Sequence, residues 1–216
     1  MAGTTTAMCS SFKRDLLNGL HRFAQSRTFT ATGASTATWT AVSALTGLAV
    51  GQFLSGTNVA AGSRIADILS STSIFVSKAS TGALGTITAI GDTFKIALIK
   101  VSPTGTYGAA SVSYADITGN SDEVTGTGYT AGGTALTNTD PSLSTTTALT
   151  DFADVSWTTA TFSATAAMIY NTTQNGPQAS PSVSTHDFGG TQTVTAGTFT
   201  LVFPTPDASN AILRIA

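Results

Sequence analysis

Side chains able to move protons or attack a carbonyl are few in this chain. His21 and His186 are the only histidines, Glu123 is the only glutamate and Cys9 the only cysteine. His186 precedes Asp187, but neighbours on a strand point to opposite faces, so adjacency does not make a dyad. No Gly-x-Ser-x-Gly elbow occurs, and hydroxyls are so common that one near His186 carries little meaning. Asp122-Glu123, followed by Asp140, Asp151 and Asp154, offers the paired carboxylates of glycoside hydrolysis, one donating a proton while the other attacks or activates water. Turn carboxylates that accept local backbone N–H groups use the same residue types, and this is the preferred reading.

The remaining motifs are weaker. In Gly126-Thr-Gly128-Tyr-Thr-Ala-Gly132-Gly133 the third glycine comes one residue too late for a dinucleotide loop. The segment reads instead as a hairpin or a loop lying against another backbone. Cys9 reads as a small packing residue, and one cysteine excludes an internal disulfide or a cysteine-rich metal site. Trp39, Trp157 and Tyr170 are candidate stacking residues for a carbohydrate, although such rings more often fill a β core. No catalytic residue, cofactor or metal ligand is expected, and the chain is not read as an enzyme.

The elements that position these residues begin with a helix. Met8, Phe12, Leu16, Leu20 and Phe23 recur at helical spacing and predict one apolar stripe, capped by Thr4, Thr5 or Thr6 and weakened at Gly19. With its basic residues, this segment supplies the candidate partner contacts Phe12, Lys13, Arg14, Leu16, Leu20, Arg22 and Arg27. Residues 28–63 hold no charge, and large apolar residues recur there between turns about every ten residues, as in a small antiparallel unit. From Gly91 onward, strands are expected at 93–101, 124–129, 155–157, 161–170, 183–188, 199–203 and 211–215, with the clearest period of two at 161–170. The predicted fold is mainly β. It divides into a helical segment at 1–27, an inserted β module at 28–90 and an antiparallel β-sandwich or jelly-roll-like body at 91–216.

Composition sets the class. Of 216 residues, 9% are charged, about a fifth are Thr, and the net charge is −2. The absence of a basic footprint argues against a nucleic-acid partner. No apolar run suggests a membrane span, and no secretion signal is visible. Residues 1–100 carry eight of the nine basic residues, whereas residues 101–216 carry eight of the eleven acidic ones. So sparsely charged a surface is poorly defended against association, and the asymmetry could orient docking.

Two blocks resemble a family of small virion structural proteins of tailed bacteriophages. The first is MCSSFKRDLLNGLH from Met8. The second comprises GDTFKIALIK from Gly91, EVTGTGYTAGGTAL from Glu123, DFADVSWTTATFSATAAMIYN from Asp151 and DFGGTQTVTAGTFTLVFPTPDASNAILRIA from Asp187. Members pass almost directly from the helix to the GDTFK strand, whereas here residues 28–90 intervene. Val50–Thr81 is itself similar to short β modules of phage fibres. The resemblance implies a virion protein assembled in the host cytoplasm, with no catalytic residues attached. The expected role is a head decoration or cement protein that bridges capsomers. Its expected partners are the major capsid protein, other virion proteins and copies of itself, with a trimer implied by the resemblance alone. A tail or fibre-base adaptor touching the host is the alternative, and a carbohydrate-binding module a third.

Overall fold

The computed structural model describes residues 2–173 and 176–216. It is mainly β, with several antiparallel sheets, a β-sandwich-like body and one short N-terminal helix. Two compact units form. One comprises the chain up to His21 with Thr93–Asn138 and Ser142–Ala216; the other is Arg22–Asp92 with Thr139–Pro141.

In the larger unit a five-stranded antiparallel sheet runs in the order Thr134–Leu136, Phe94–Ile99, Val155–Asn171, Ser182–Leu201 and Ala7–Met8. Both faces of Phe94–Ile99 are buried, which is why its sequence is almost uniformly apolar. Ala97 and Ile99 pack with Met168, Tyr170, Tyr107 and Ile117. On the opposite face Phe94 meets Phe152 edge-on at 5.6 Å, and Phe152 in turn meets Phe203. A second antiparallel sheet joins Ser142–Ser144, Thr147–Thr150 and Leu213–Ile215.

The expected strands at 155–157 and 161–170 are one strand, and 183–188 and 199–201 belong to another. Register shifts on both sides of Ala160, with Thr159 at φ 52°, interrupt the alternation that would have shown continuity. No strand forms at 124–129. Glu123 and Thr127 make single bridges to Ile99 and Thr161, because Gly126 crosses another backbone: a Cβ there would lie 2.4 Å from the Thr161 carbonyl oxygen. The segment therefore is a loop lying against another chain segment.

The smaller unit holds two three-stranded antiparallel sheets. One orders Arg27–Thr30, Thr86–Ile90 and Phe53–Gly56; the other orders Thr38–Trp39, Ser73–Val76 and Ile65–Ser70. Phe29, Trp39, Leu54, Ile65, Ile74 and Ile87 lie in its single core. The excursion Thr139–Pro141 joins this unit through Asp140, which accepts the Gln25 backbone N–H at 2.8 Å and pairs with Arg27.

The helix is shorter than its periodicity implies and spans Ser10–Leu17, with Cys9 rather than a threonine at its N-cap. Gly19, at φ +68°, stops it. The Gly19 N–H donates to the Leu16 carbonyl and the Leu20 N–H to the Asp15 carbonyl, the paired closure of a glycine-terminated helix. Met8 thus lies in a short strand beside Ser184, Leu20 lies past the helix end, and Phe23 is buried in the segment that opens the smaller unit. The single apolar stripe does not exist. Gly19→Ala, which would stabilise a helix interior, is expected to cost about 1 kcal/mol because the left-handed conformation disfavours a Cβ; urea denaturation of the two proteins measures the sign.

Candidate functional site

The best candidates for chemistry, Asp122 and Glu123, sit in a segment that pairs with the end of the Phe94–Ile99 strand. The Lys100 N–H donates to the Asp122 carbonyl, and the Val124 N–H to the Leu98 carbonyl. Consecutive residues on extended backbone point opposite ways, so the two carboxylates serve different neighbourhoods.

Asp122 is fully buried. It accepts the backbone N–H groups of Thr104 at 3.0 Å and Gly105 at 2.7 Å, and the Tyr107 hydroxyl at 2.6 Å. Lys100 Nζ lies 3.0 Å from it. Burial alone would raise its pKa, but the Thr104 N–H, the Tyr107 hydroxyl, the Gly105 N–H and Lys100 outweigh that and hold the carboxyl well below the usual range. Burial, then the bond to Asp122, pushes the Tyr107 hydroxyl upward.

Glu123 accepts the Tyr114 hydroxyl at 2.5 Å on one oxygen, and the Tyr129 hydroxyl at 2.8 Å and the Gly132 N–H at 2.7 Å on the other. Tyr129 also accepts the Leu98 N–H at 3.0 Å. Tyr170 stacks on Tyr114 with ring centroids 4.6 Å apart and donates to the Gly132 carbonyl at 2.6 Å. Burial, reinforced by the negative Glu123, pushes Tyr170 up to about 12. Three of the chain's four tyrosines therefore bond to these two carboxylates, the fourth reaching them through Tyr114 and Gly132, and each carboxylate oxygen already has a donor. The arrangement is suited to clamping loops. The turn-carboxylate reading holds at Asp151, which accepts the N–H of the next residue, whereas the backbone donors of Asp122 are Thr104 and Gly105, far outside its own turn, and the tyrosines had no spacing that could have revealed them.

Other sequence candidates separate. Asp151 accepts the Phe152 N–H at 2.8 Å and the Ile212 N–H at 3.2 Å, with burial holding its pKa up. His186 lies 2.9 Å from Ser184 Oγ, and burial pushes its imidazole down to about 4. Cys9 is buried beside the Gly108 carbonyl, and burial raises its thiol. Trp39, Trp157 and Tyr170 are all buried. Among the described residues no group of three or more His, Cys, Asp or Glu side chains could hold a metal ion.

The seven partner-contact candidates divide as well. Phe12 is buried and meets His21 edge-on at 4.8 Å, so it belongs to the chain's own core. Arg22 pairs with Asp92 at 3.6 Å and lies 4.5 Å over the Phe53 ring, and Arg27 is engaged with Asp140. Leu16 and Leu20 are half-buried. Lys13 and Arg14 are exposed, with Arg14 bound to the neighbouring Asp15 at 2.8 Å. Sequence reasoning missed Leu17, which is 89% exposed. It falls four residues after Lys13 and three after Arg14, hence on their helix face. A stripe search cannot find such a residue, because it looks for the buried side.

Asp122→Asn is expected to lower stability by about 3 kcal/mol at neutral pH, since it removes the charge on which the Thr104 and Gly105 N–H groups, the Thr104 and Tyr107 hydroxyls and Lys100 converge. Because the folded carboxyl titrates below the unfolded one, its contribution is full above about pH 4 and is lost as pH falls further. Urea denaturation across pH should accordingly show a shallower acid decline in the variant.

Compared with family models, curated proteins and solved structures, the chain matches none.

Proposed function

We propose that this chain is a structural protein of a bacteriophage virion, acting as a decoration or cement subunit that bridges capsomers of the head. The observation that carries this reading is the solvent-facing side of the short helix, where Lys13 and Arg14 lie beside an almost fully exposed Leu17. A neighbour that covers this leucine removes its apolar surface from water, and the flanking cations steer it toward an acidic surface. The support from chemistry is that every strong carboxylate cluster is committed to holding loops. Support from composition is the low charge and abundant hydroxyls, which suit repeated contacts through packing and main-chain hydrogen bonds. Many identical sites on a shell make weak contacts effective together.

The tail or fibre-base reading rests on a different observation. Arg22–Asp92 forms a compact unit with its own core, as a fibre-like module would.

Quantitative mass spectrometry of purified particles separates the two: hundreds of copies fit cement, whereas a dozen or fewer at one vertex fit the tail. In the same particles, Leu17→Asp is expected to reduce incorporation at least about tenfold, the effect of losing one buried interface anchor. Its melting temperature should stay unchanged, since an exposed side chain holds up no core.

A further inference from the structure

Strand Ser182–Leu201 pairs with Val155–Asn171 along one side. On its other side only Ser184 and Thr185 have strand partners, Met8 and Ala7. Among the described residues, no strand pairs with that outer edge from Phe188 to Leu201. The Phe94–Ile99 strand leaves Val155–Asn171 at Ala166. Beyond that point Val155–Thr165 and Gln192–Leu201 continue as a two-stranded ribbon, bridged to Thr127 at Thr161 and covered on one side by Tyr129, whose ring meets Trp157 and Phe162. Two-stranded ribbons are marginal by themselves.

The ribbon has two unlike sides. Trp157, Phe162 and Phe199 cluster on one, with ring centroids 5.3 to 6.3 Å apart. On the other, hydroxyls pair across the strands, Ser156 with Thr200 and Ser163 with Thr193, each at 2.8 Å. Beside the open edge lies a groove of about 250 Å³ lined by Phe188, Gln192, Phe199, Thr200, Leu201 and Val202. Val202 is 69% exposed.

Edges this long are usually guarded by Lys, Pro or inward charges. From Phe188 to Phe203 the chain has no charged residue and no proline. Two irregularities interrupt it: the bulge at 188–191, where four residues oppose Thr165, and a smaller one at Thr195 and Ala196, which together oppose Thr161, with Ala196 at φ 47°. Gln192–Val194 and Gly197–Leu201 remain open on either side of the smaller one, the longer run offering about 17 Å of regular backbone.

We propose that this edge is where two copies of the chain meet, strand against strand and antiparallel about a two-fold axis. Charge selects a second copy as the occupant. An uncharged edge gives no grip to a charged partner strand, and its natural complement is an equally uncharged, unpaired strand, which each copy supplies. Asp187, the nearest formal charge, lies at one end, so antiparallel pairing sets the two Asp187 side chains at opposite ends and brings no like charges together. Thr193, Thr195, Thr198 and Thr200 then meet hydroxyls of the other copy, as Ser163 and Thr193 already do within one. A two-fold contact of this kind closes on itself, so it deepens the virion reading by naming how copies join, without requiring a particular place on the particle.

Sedimentation equilibrium of the full chain tests it. The expected result is a reversible dimer, weakened at least about tenfold in a Thr195→Lys, Thr198→Lys double variant that places two cations on each edge. Hydrogen exchange of the unaltered protein gives a second measure that survives any misfolding of the variant: amides within 192–201 should gain protection as concentration rises. A monomer at every concentration, a discrete trimer, or a dimer whose 192–201 amides gain no protection would each overturn the proposal. None of these outcomes alters the copy number per particle, on which the virion reading stands or falls separately.

Discussion

Everything in the larger unit leans on one dipeptide. Asp122 and Glu123 are adjacent on extended backbone, so a single segment reaches two loop systems at once. Asp122 gathers Thr104, Gly105 and Tyr107, while Glu123 gathers Tyr114, Tyr129 and Gly132. The connection is economical in charge and exacting in geometry. Removing either carboxylate strands several donors in a place water reaches poorly, and that costs more than an exposed ion pair contributes. Because the same segment bonds to Leu98 and Lys100, the loops inherit the position of the central sheet.

The rest of the molecule is held with little charge. Two ion pairs, Arg22 with Asp92 and Arg27 with Asp140, lie in the smaller unit. Backbone ladders and hydroxyls do the remaining polar work. Thr172 and Thr93, for example, bond hydroxyl to hydroxyl at 2.6 Å. A chain built in this way meets neighbours through packing and strand edges, with little dependence on salt.

The β class was legible because Thr, Val, Ile and aromatic residues recur between regularly spaced turns, and the alternation at 161–170 marked a strand outright. What escaped the sequence was non-local. The bulge around Ala160 broke the period and hid a 17-residue strand. Gly19 looked like a tolerable helix interior, yet its left-handed φ ends the helix, and only the carbonyls of Asp15 and Leu16 reveal that. Asp140 crosses to the smaller unit from more than a hundred residues away, and no local pattern announces it. At the carboxylate site the acidic pair was visible, but Tyr107, Tyr114, Tyr129 and Tyr170 converge only in three dimensions.

The distribution of indole rings has a practical side. The chain has two tryptophans, and each unit buries one: Trp39 in the smaller, Trp157 in the larger. Each unit thus carries its own native fluorophore, shielded from solvent while folded. Replacing either ring by Phe leaves emission from a single unit, so the red shift on unfolding can be followed separately for each half of the chain without any label.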